Sequence, residues 1–500
     1  MSLPPVPGRI VPHQTLVVAR AIFPRGPSSL DLRDTLGPIF ADAQCASLCS
    51  ACGQPAECPW RLALVTLLQF AENLSDRRAA DAVRSRIDWK DLLALELPDP
   101  GFDASVLSEF RTRLVVGHAE ALLFDTLRAL CRDRGLLTRR GRQRTDATHV
   151  LGSVRSLNRL GCVFQTLRGA RRAPWLHDVP AIAVLRRVWM QNFVCSEVEG
   201  RSPGSGASSV RWRTAAEGLP PSLLMVASPY DPDIHDAKKR TTSGVGYKVH
   251  LTETCDDDRP PLITHVTTTP ASVVDRATLA PLHAALAARK LLPARHLVDA
   301  AYLDADQRVA AARDHAVALV GPAPKDNQWQ ARTAGALTIA QFTFDWDRRV
   351  ATCPAGQMSE SWTDEHNAGR TVMRVRSSTR HCKVCALKPR CTRSARRLLT
   401  PRRRGEHEAL VAARTREVEP PFATEQRRRA GIEGTLSRSV RVMGLRRARY
   451  LGMAKTRLQH LITAAALNLL RLAAWLRQTP AARTRRSAFA RLMCASPTFA

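Results

Sequence analysis

The sequence predicts an α/β protein, a mixed sheet with helices on its faces. A helical N-terminal domain precedes this core, and a Cys-rich insert interrupts it before the last helices. Three observations predict this. Between about 60 and 136, apolar residues recur at three- and four-residue spacing with charges between them, as on amphipathic helices. From 144 onward, short β-like runs alternate with helical ones, the pattern of a sheet covered by helices. Between 353 and 391, Cys353, Cys382, Cys385 and Cys391 gather in a segment unlike its flanks.

In chain order, residues 1–30 are Pro-rich and are expected to be loosely ordered. Residues 31–137 form the helical domain, with Leu107, Phe110, Leu114, Leu122, Phe124, Leu127 and Leu130 on its apolar stripes, and TRRGRQR (138–144) follows as a basic link. Residues 138–339 hold the first part of the core. RTDATHVLGSV (144–154) reads as a strand, EGRSPGSGASS (199–209) as a linker or surface loop, and GYKVHLTETC and PPLITHVTTT as two strands around the acidic turn DDDR. Then come a helix, the strand ARHLVDAAY (294–302), a second helix and the strand in VALVGPAP. Residues 340–405 are the insert, 406–480 the closing helices of the core and 481–500 a basic tail.

Lys and Arg number 75 against 45 Asp and Glu, a formal net charge of +30. Such an excess points to a polyanionic partner, since each cation set near a phosphate releases condensed counterions. The N-terminal segment is broken by prolines and arginines before any secretory core forms. LITAAALNLLRLAAWL (461–476) is too short, and too interrupted by Asn468 and Arg471, for a membrane span. Thirteen cysteines without a leader suggest reduced thiols or metal ligands, so a cytoplasmic, nucleoid-associated protein without membrane contact is expected.

Within RRRAGIEGTLSRS (427–439), one carboxylate, Glu433, stands in a strongly basic stretch between Gly431 and Gly434. Asp146 lies in a strand-like run and Asp299 ends another. Acids at strand ends collect at one edge of an open sheet, where ligands bind. Three carboxylates in a basic cleft suit two divalent cations about 4 Å apart, which activate an attacking oxygen and stabilise a leaving one in phosphoryl displacement. Mg²⁺ fits because it takes few carboxylates and fills its other positions with water and phosphate oxygens. Read one at a time, a strand-end Asp is more often a turn or helix cap, and a Glu among arginines a solvated pair.

The stretches SDRRAADAVRSRIDWKDLL, GFDASVLSEFRTRL, RQRTDATHVLGSVRSLNRL, SPYDPDIHDAKKRTTSGVGYKVHLTETC, RHLVDAAYLDA, RRAGIEGTLSRSVRVMGLRRARYLGMAKT and LITAAALNLLRL, taken together, resemble the DDE transposases of bacterial insertion sequences. The similar branch carries a Tyr-x2-Arg-x3-Glu-x6-Lys signature. The resemblance implies a ribonuclease-H-like core with Asp146, Asp299 and Glu433 as catalytic, metal-binding acids holding two Mg²⁺ or Mn²⁺ ions. It implies binding of double-stranded DNA (terminal inverted repeats and target), nicking at transposon ends, strand transfer, and a homodimer in the DNA complex. Arg429 matches the signature arginine and is expected to grip a phosphate. Gln426 and Val440 stand where the signature has tyrosine and lysine, with Arg441 the nearest cation to the latter. These departures admit an alternative, a decayed or catalytically weak DNA-binding derivative acting as a regulator. Lys238, Lys239, Arg240, Lys248 and Lys455 are further candidate DNA contacts. By alternation, Tyr247 and Val249 share one strand face and Lys248 and His250 the other.

Cys382-x2-Cys385-x5-Cys391, with Cys353 upstream, offers four thiolates for a structural Zn²⁺ that orders an insert with little apolar core, His381 being a substitute ligand. Cys49-x2-Cys52-x5-Cys58, with Cys45, repeats the spacing near the N-terminus.

Overall fold

The computed structural model describes residues 10–23, 33–49, 57–154, 158–170, 180–197, 208–218, 220–221, 224–239, 242–367 and 370–479. The tail expected at 481–500, most of the 199–209 loop, Arg240 and Cys52 lie outside them. The chain divides into two compact units, Met1–Leu130 with Ile462–Ala500, and Cys131–Leu461.

The first unit is helical. Helix α1 (His13–Ile22) falls inside the stretch expected to be loosely ordered. No proline interrupts the run between Pro12 and Pro24, Thr15 and Ala19 are buried one turn apart, and Thr15 Oγ1 donates to the Leu95 carbonyl at 2.9 Å. Helix α2 (Pro59–Ala71) carries proline in its first turn, where the missing N–H has no helical partner to lose. Helix α3 (Asp76–Ser85) starts at Ser75, whose side chain accepts from the Arg78 N–H. Helices α4 (Ile87–Leu92) and α5 (Ser105–Val116) follow, and α6 (Leu122–Asp133) begins in this unit. Leu64, Leu67, Phe70, Trp89, Leu107 and Leu114 are buried, and Arg111 reaches Asp76 at 2.6 Å and Gln69 at 3.3 Å among them.

The second unit is built on a six-stranded mixed sheet. Strand β1 (Arg142–Leu151) is followed by helices α7 (Arg159–Ala170) and α8 (Pro180–Asn192) and by a separate ribbon, β2 (Phe193–Glu197) with β3 (Ser208–Trp212). Strand β4 (His235–Lys239) pairs with the start of β5 (Thr242–Thr254), and β6 (Ile263–Pro270) pairs with the rest of β5 around the acidic turn. Helix α9 (Leu279–Ala288), strand β7 (Arg295–Val298), helix α10 (Ala305–His315) and strand β8 (Ala318–Val320) come next. Strand β1 runs antiparallel to β5 and parallel to β7, and β7 runs parallel to β8. This mixed sheet with helices is compatible with a ribonuclease-H-like core.

Register assigns the two faces. Gln143, Thr145 and Ala147 of β1 share a face with His250 and Thr252 of β5 and with His296 and Val298 of β7. Val298 packs there with Leu279, Tyr302, Ala311 and Leu319, so α9 and α10 cover this side. A buried hydrogen-bond string also runs across it, from His283 to His296 (2.9 Å), to Thr145 (2.7 Å), to Thr252 (2.7 Å). Arg144, Asp146, Leu251, Glu253 and Leu297 lie on the other face.

Beyond β8, the segment expected as a Cys-rich insert carries the hairpin β9 (Thr343–Asp345) with β10 (Val350–Thr352) and the sheet β11 (Ser359–Asn367), β12 (Arg370–Ser377), β13 (Leu398–Leu399). It is not poor in apolar core, as its sequence suggested. Phe342, Ala351, Val375 and Leu399 are buried together, with Phe344 and Trp362 against them. Helices α11 (Arg404–Glu417), α12 (Pro420–Arg441) and α13 (Met453–Leu476) complete the described chain. Among the described residues, no helix is long and apolar enough to cross a membrane.

Candidate active site

Two of the three acids are set side by side by strand register. The parallel ladder of β1 and β7 pairs Thr145 with Val298, so the next residues, Asp146 and Asp299, stand level on adjacent strands. Neighbouring strands lie about 4.8 Å apart, which keeps both carboxylates within reach of one ligand. Only Asp299 lies at a strand end. Asp146 is inside β1, at the point where β7 stops pairing and β5 continues. Each uses one oxygen locally, Asp146 accepting from the Ala147 N–H at 2.7 Å and Asp299 from the Ala300 N–H at 2.6 Å. The capping role is therefore real at Asp299, and it leaves most of each carboxylate's acceptor capacity open.

Helix α12 brings the third acid. Its buried residues Glu425, Ile432, Thr435, Leu436 and Ser439 form a stripe that meets the Arg144/Asp146 face, with Phe422 against Leu297 and Val320. Arg429 lies one turn before Glu433 and bridges the acids, at 2.8 Å from Glu433 and 3.6 Å from Asp146. Expected to grip a phosphate, it is here engaged with carboxylates. Burial pushes the Asp146 carboxyl above its ordinary value. The Ala147 N–H and Arg429 pull it down, and the negative charges of Asp299 and Glu433 push it up again. The half-buried Asp146 thus feels the charges of both other carboxylates with the Arg429 guanidinium beside it, and three carboxylates are a donor set suited to hard divalent ions. As placed, no group of three or more His, Cys, Asp or Glu among the described residues is arranged to hold a metal ion.

The other candidates are spread out. Lys248 lies on the opposite, helix-covered face, and its ammonium pairs with Asp275 at 2.8 Å and the Val273 carbonyl at 2.6 Å, which commits its charge internally. Lys238 and Lys239 lie on β4. Arg441 is exposed and donates to Ser437 at 2.5 Å, and Lys455 is exposed near the start of α13. Gln426 and Val440 are half-buried on α12. His250 and Tyr247 are structural. His250 Nδ1 meets the Tyr302 hydroxyl at 2.7 Å, and the Tyr247 hydroxyl donates to Asp231 at 2.8 Å.

Two residues of this face were missed in the sequence. Glu253 is fully buried and paired with Arg144 at 2.6 Å, its direct partner across the β1–β5 ladder. Both sit two residues from a neighbour on the same face, Arg144 from Asp146 and Glu253 from Leu251, so alternation along the two predicted strands was the available signal.

Cys353, Cys382, Cys385, Cys391 and His381 line one cavity of the insert. Burial pushes the Cys391 thiol up, Arg397 opposes this, and Cys382, Cys353 and Cys385 add to it. Near the N-terminus, Cys45 and Cys58 are buried, and burial together with Cys49 and Asp42 pushes the Cys45 thiol up to about 11.

Residues 352–473 match the family described as a transposase DDE domain, and residues 21–113 match the DUF772 transposase domain. The first match contains Glu433 and the four cysteines of the insert, while Asp146 and Asp299 lie outside both. No curated protein and no solved structure matches the chain.

Proposed function

Because the chain belongs to the DDE-type insertion-sequence transposases, we propose that it binds the terminal inverted repeats of its element, cleaves DNA at their ends and joins them to target DNA. The observation that supports this reading is the register that sets Asp146 level with Asp299 on adjacent parallel strands, together with Arg429 bridging Asp146 to Glu433 on α12. In this reading the three acids hold Mg²⁺ or Mn²⁺, with Arg429 turning from them to a DNA phosphate. Bound metal would supply activation of the attacking oxygen and stabilisation of the leaving oxygen. Residues 31–137 serve as the DNA-binding domain. Arg441 and Lys455, exposed in the second unit, contact the backbone, and two copies act together because two ends must be joined. The protein works on cytoplasmic DNA.

The test is purified full-length protein with Mg²⁺ and DNA carrying the inverted repeats that flank the gene. Wild type nicks the repeat ends and Asp299→Asn does not. Cleavage that survives removal of Asp146, Asp299 or Glu433 refutes the assignment.

The insert holds a structural Zn²⁺ in the same proposal, through Cys353, Cys382, Cys385 and Cys391. The soft donors already face one cavity, and zinc would convert them to thiolates. Metal analysis of the purified chain should find one equivalent of zinc that Cys382→Ser loses. Zinc-free wild-type protein with a folded insert counts against it.

A further inference from the structure

We propose that Arg144, Glu253 and Thr435 form a positioning clamp that sets where α12 presents Glu433, with Gly431 as the seat of the clamp. The inference rests on reading Asp146, Asp299 and Glu433 as the metal-holding acids. Only Ile432 and Leu436 are apolar among the five buried residues of α12, with Phe422 packed against Leu297 and Val320 at its start, so polar contacts share in fixing its register on the sheet. The Glu253 carboxylate is fully buried and accepts from Arg144 Nε at 2.7 Å and from the Thr435 hydroxyl at 2.9 and 3.1 Å. Arg144 Nη1 also donates to the Arg428 carbonyl of the same helix. One guanidinium therefore joins β1, β5 and the α12 backbone.

Gly431 explains how the helix comes so close. A Cβ there would lie 2.7 Å from Arg144 Cζ and 2.9 Å from Nη2, and closer still to Nη1. Such a guanidinium could normally swing aside, but here its movement would abandon a buried carboxylate. Gly434, in contrast, faces open space, so the two glycines that bracket Glu433 have different reasons. Clamp and acids share a strand and a helix. Arg144 is two residues from Asp146 on one strand face, and Gly431 is two residues from Glu433 on the helix. Of the other α12 ties, Arg428 to Asp257 and Glu425 to Arg295 each involve a largely exposed partner and hold register weakly, and Arg429 to Asp146 lies within the acid site itself.

The test uses the full chain, Mn²⁺ as probe, and three variants, Gly431→Ala, Thr435→Val and Thr435→Ser. Mn²⁺ affinity is read by electron paramagnetic resonance, repeat-DNA affinity by fluorescence anisotropy, and nicking by gel. Gly431→Ala and Thr435→Val should weaken Mn²⁺ binding and slow nicking by about 10–100-fold, as outer-shell substitutions do, with DNA affinity unchanged. Thr435→Ser keeps the hydroxyl and should behave as wild type. Alanine favours helix over glycine, so a merely structural role predicts a Gly431→Ala protein that is more stable and binds Mn²⁺ normally. Unchanged Mn²⁺ affinity in both damaging variants, or a Thr435→Ser defect equal to that of Thr435→Val, overturns the clamp. Wild-type protein that binds Mn²⁺ and never nicks repeat DNA refutes the transposase reaction, while the clamp is still judged on Mn²⁺ affinity.

Discussion

Replacing Arg144 by methionine should be among the most destabilising single changes in the second unit. The substitution keeps a long apolar stem but removes the donors at 2.7 and 2.6 Å from the Glu253 carboxylate, which no solvent reaches. The Thr435 hydroxyl also donates to this carboxylate, but it is neutral and brings no charge to set against it. Breaking a buried pair by removing one partner typically costs about 3–5 kcal/mol, chiefly through the orphaned charge. Against a total stability of roughly 5–15 kcal/mol, that is a large fraction. If this account is right, removing the charge as well should restore much of the loss. The double variant Arg144→Met/Glu253→Leu should therefore be clearly more stable than Arg144→Met alone. Urea unfolding followed by tryptophan fluorescence and by far-ultraviolet circular dichroism measures both, and coincident curves license the comparison. A single-variant cost below about 1 kcal/mol, or a double-variant cost equal to the sum of the singles, would refute the reasoning.

Three further outcomes follow from the same structure. The Asp146 carboxyl is raised in the folded chain, so the folded state holds its proton to higher pH than the unfolded state does. Its contribution to stability therefore falls as pH climbs from 3.8 through the raised value, and Asp146→Asn should melt above wild type at pH 7 without divalent ions while losing cleavage; a lower melting point would count against it. Burial lowers His283 and His250 to about 4 and His460 to about 3. The unfolded chain then binds more protons below pH 6.5, so stability conferred by these neutral rings should be lost as pH falls from 6.5 toward 4, and a urea midpoint flat across that window contradicts it. Tyr247→Phe strips a hydroxyl donor from buried Asp231, which keeps the Gly452 N–H at 3.2 Å, and should cost about 1–3 kcal/mol by denaturant titration; no measurable cost would mean that the bond carries no net stability.

Much of this architecture could be read from residue order, because local patterns report on local structure. The alternation in RTDATHVLGSV and GYKVHLTETC places Thr145 and Asp146, or Lys248 and Tyr247, on opposite sides of a strand, and the sheet keeps that assignment. Which side would be roofed by helices is a tertiary fact. Lys248, a candidate DNA contact in the sequence, is paired with Asp275 on the α9 side, which alternation alone could not tell. The Arg144–Glu253 pair was hidden for a related reason. Two charged residues on separate strands become partners only once the strands are neighbours in a particular register. Gly431 and Gly434 looked equivalent in the sequence, and only the approach of Arg144 to one of them separates the two. The core of the insert was underestimated because Phe342, Ala351, Val375 and Leu399 come from four short segments, none of them strongly apolar by itself.

The ladder between β1 and β7 has a consequence for how such a chain can change over time. Because Asp146 and Asp299 are spaced by backbone hydrogen bonds, whole modules can be gained, lost or lengthened between them without moving either acid. The α7–α8 pair and the β2–β3 ribbon occupy that permissive interval. Glu433 enjoys no such protection. Its place depends on how one helix seats on a strand, so the segment between Asp299 and Glu433 can tolerate new cargo only if the seat itself is preserved.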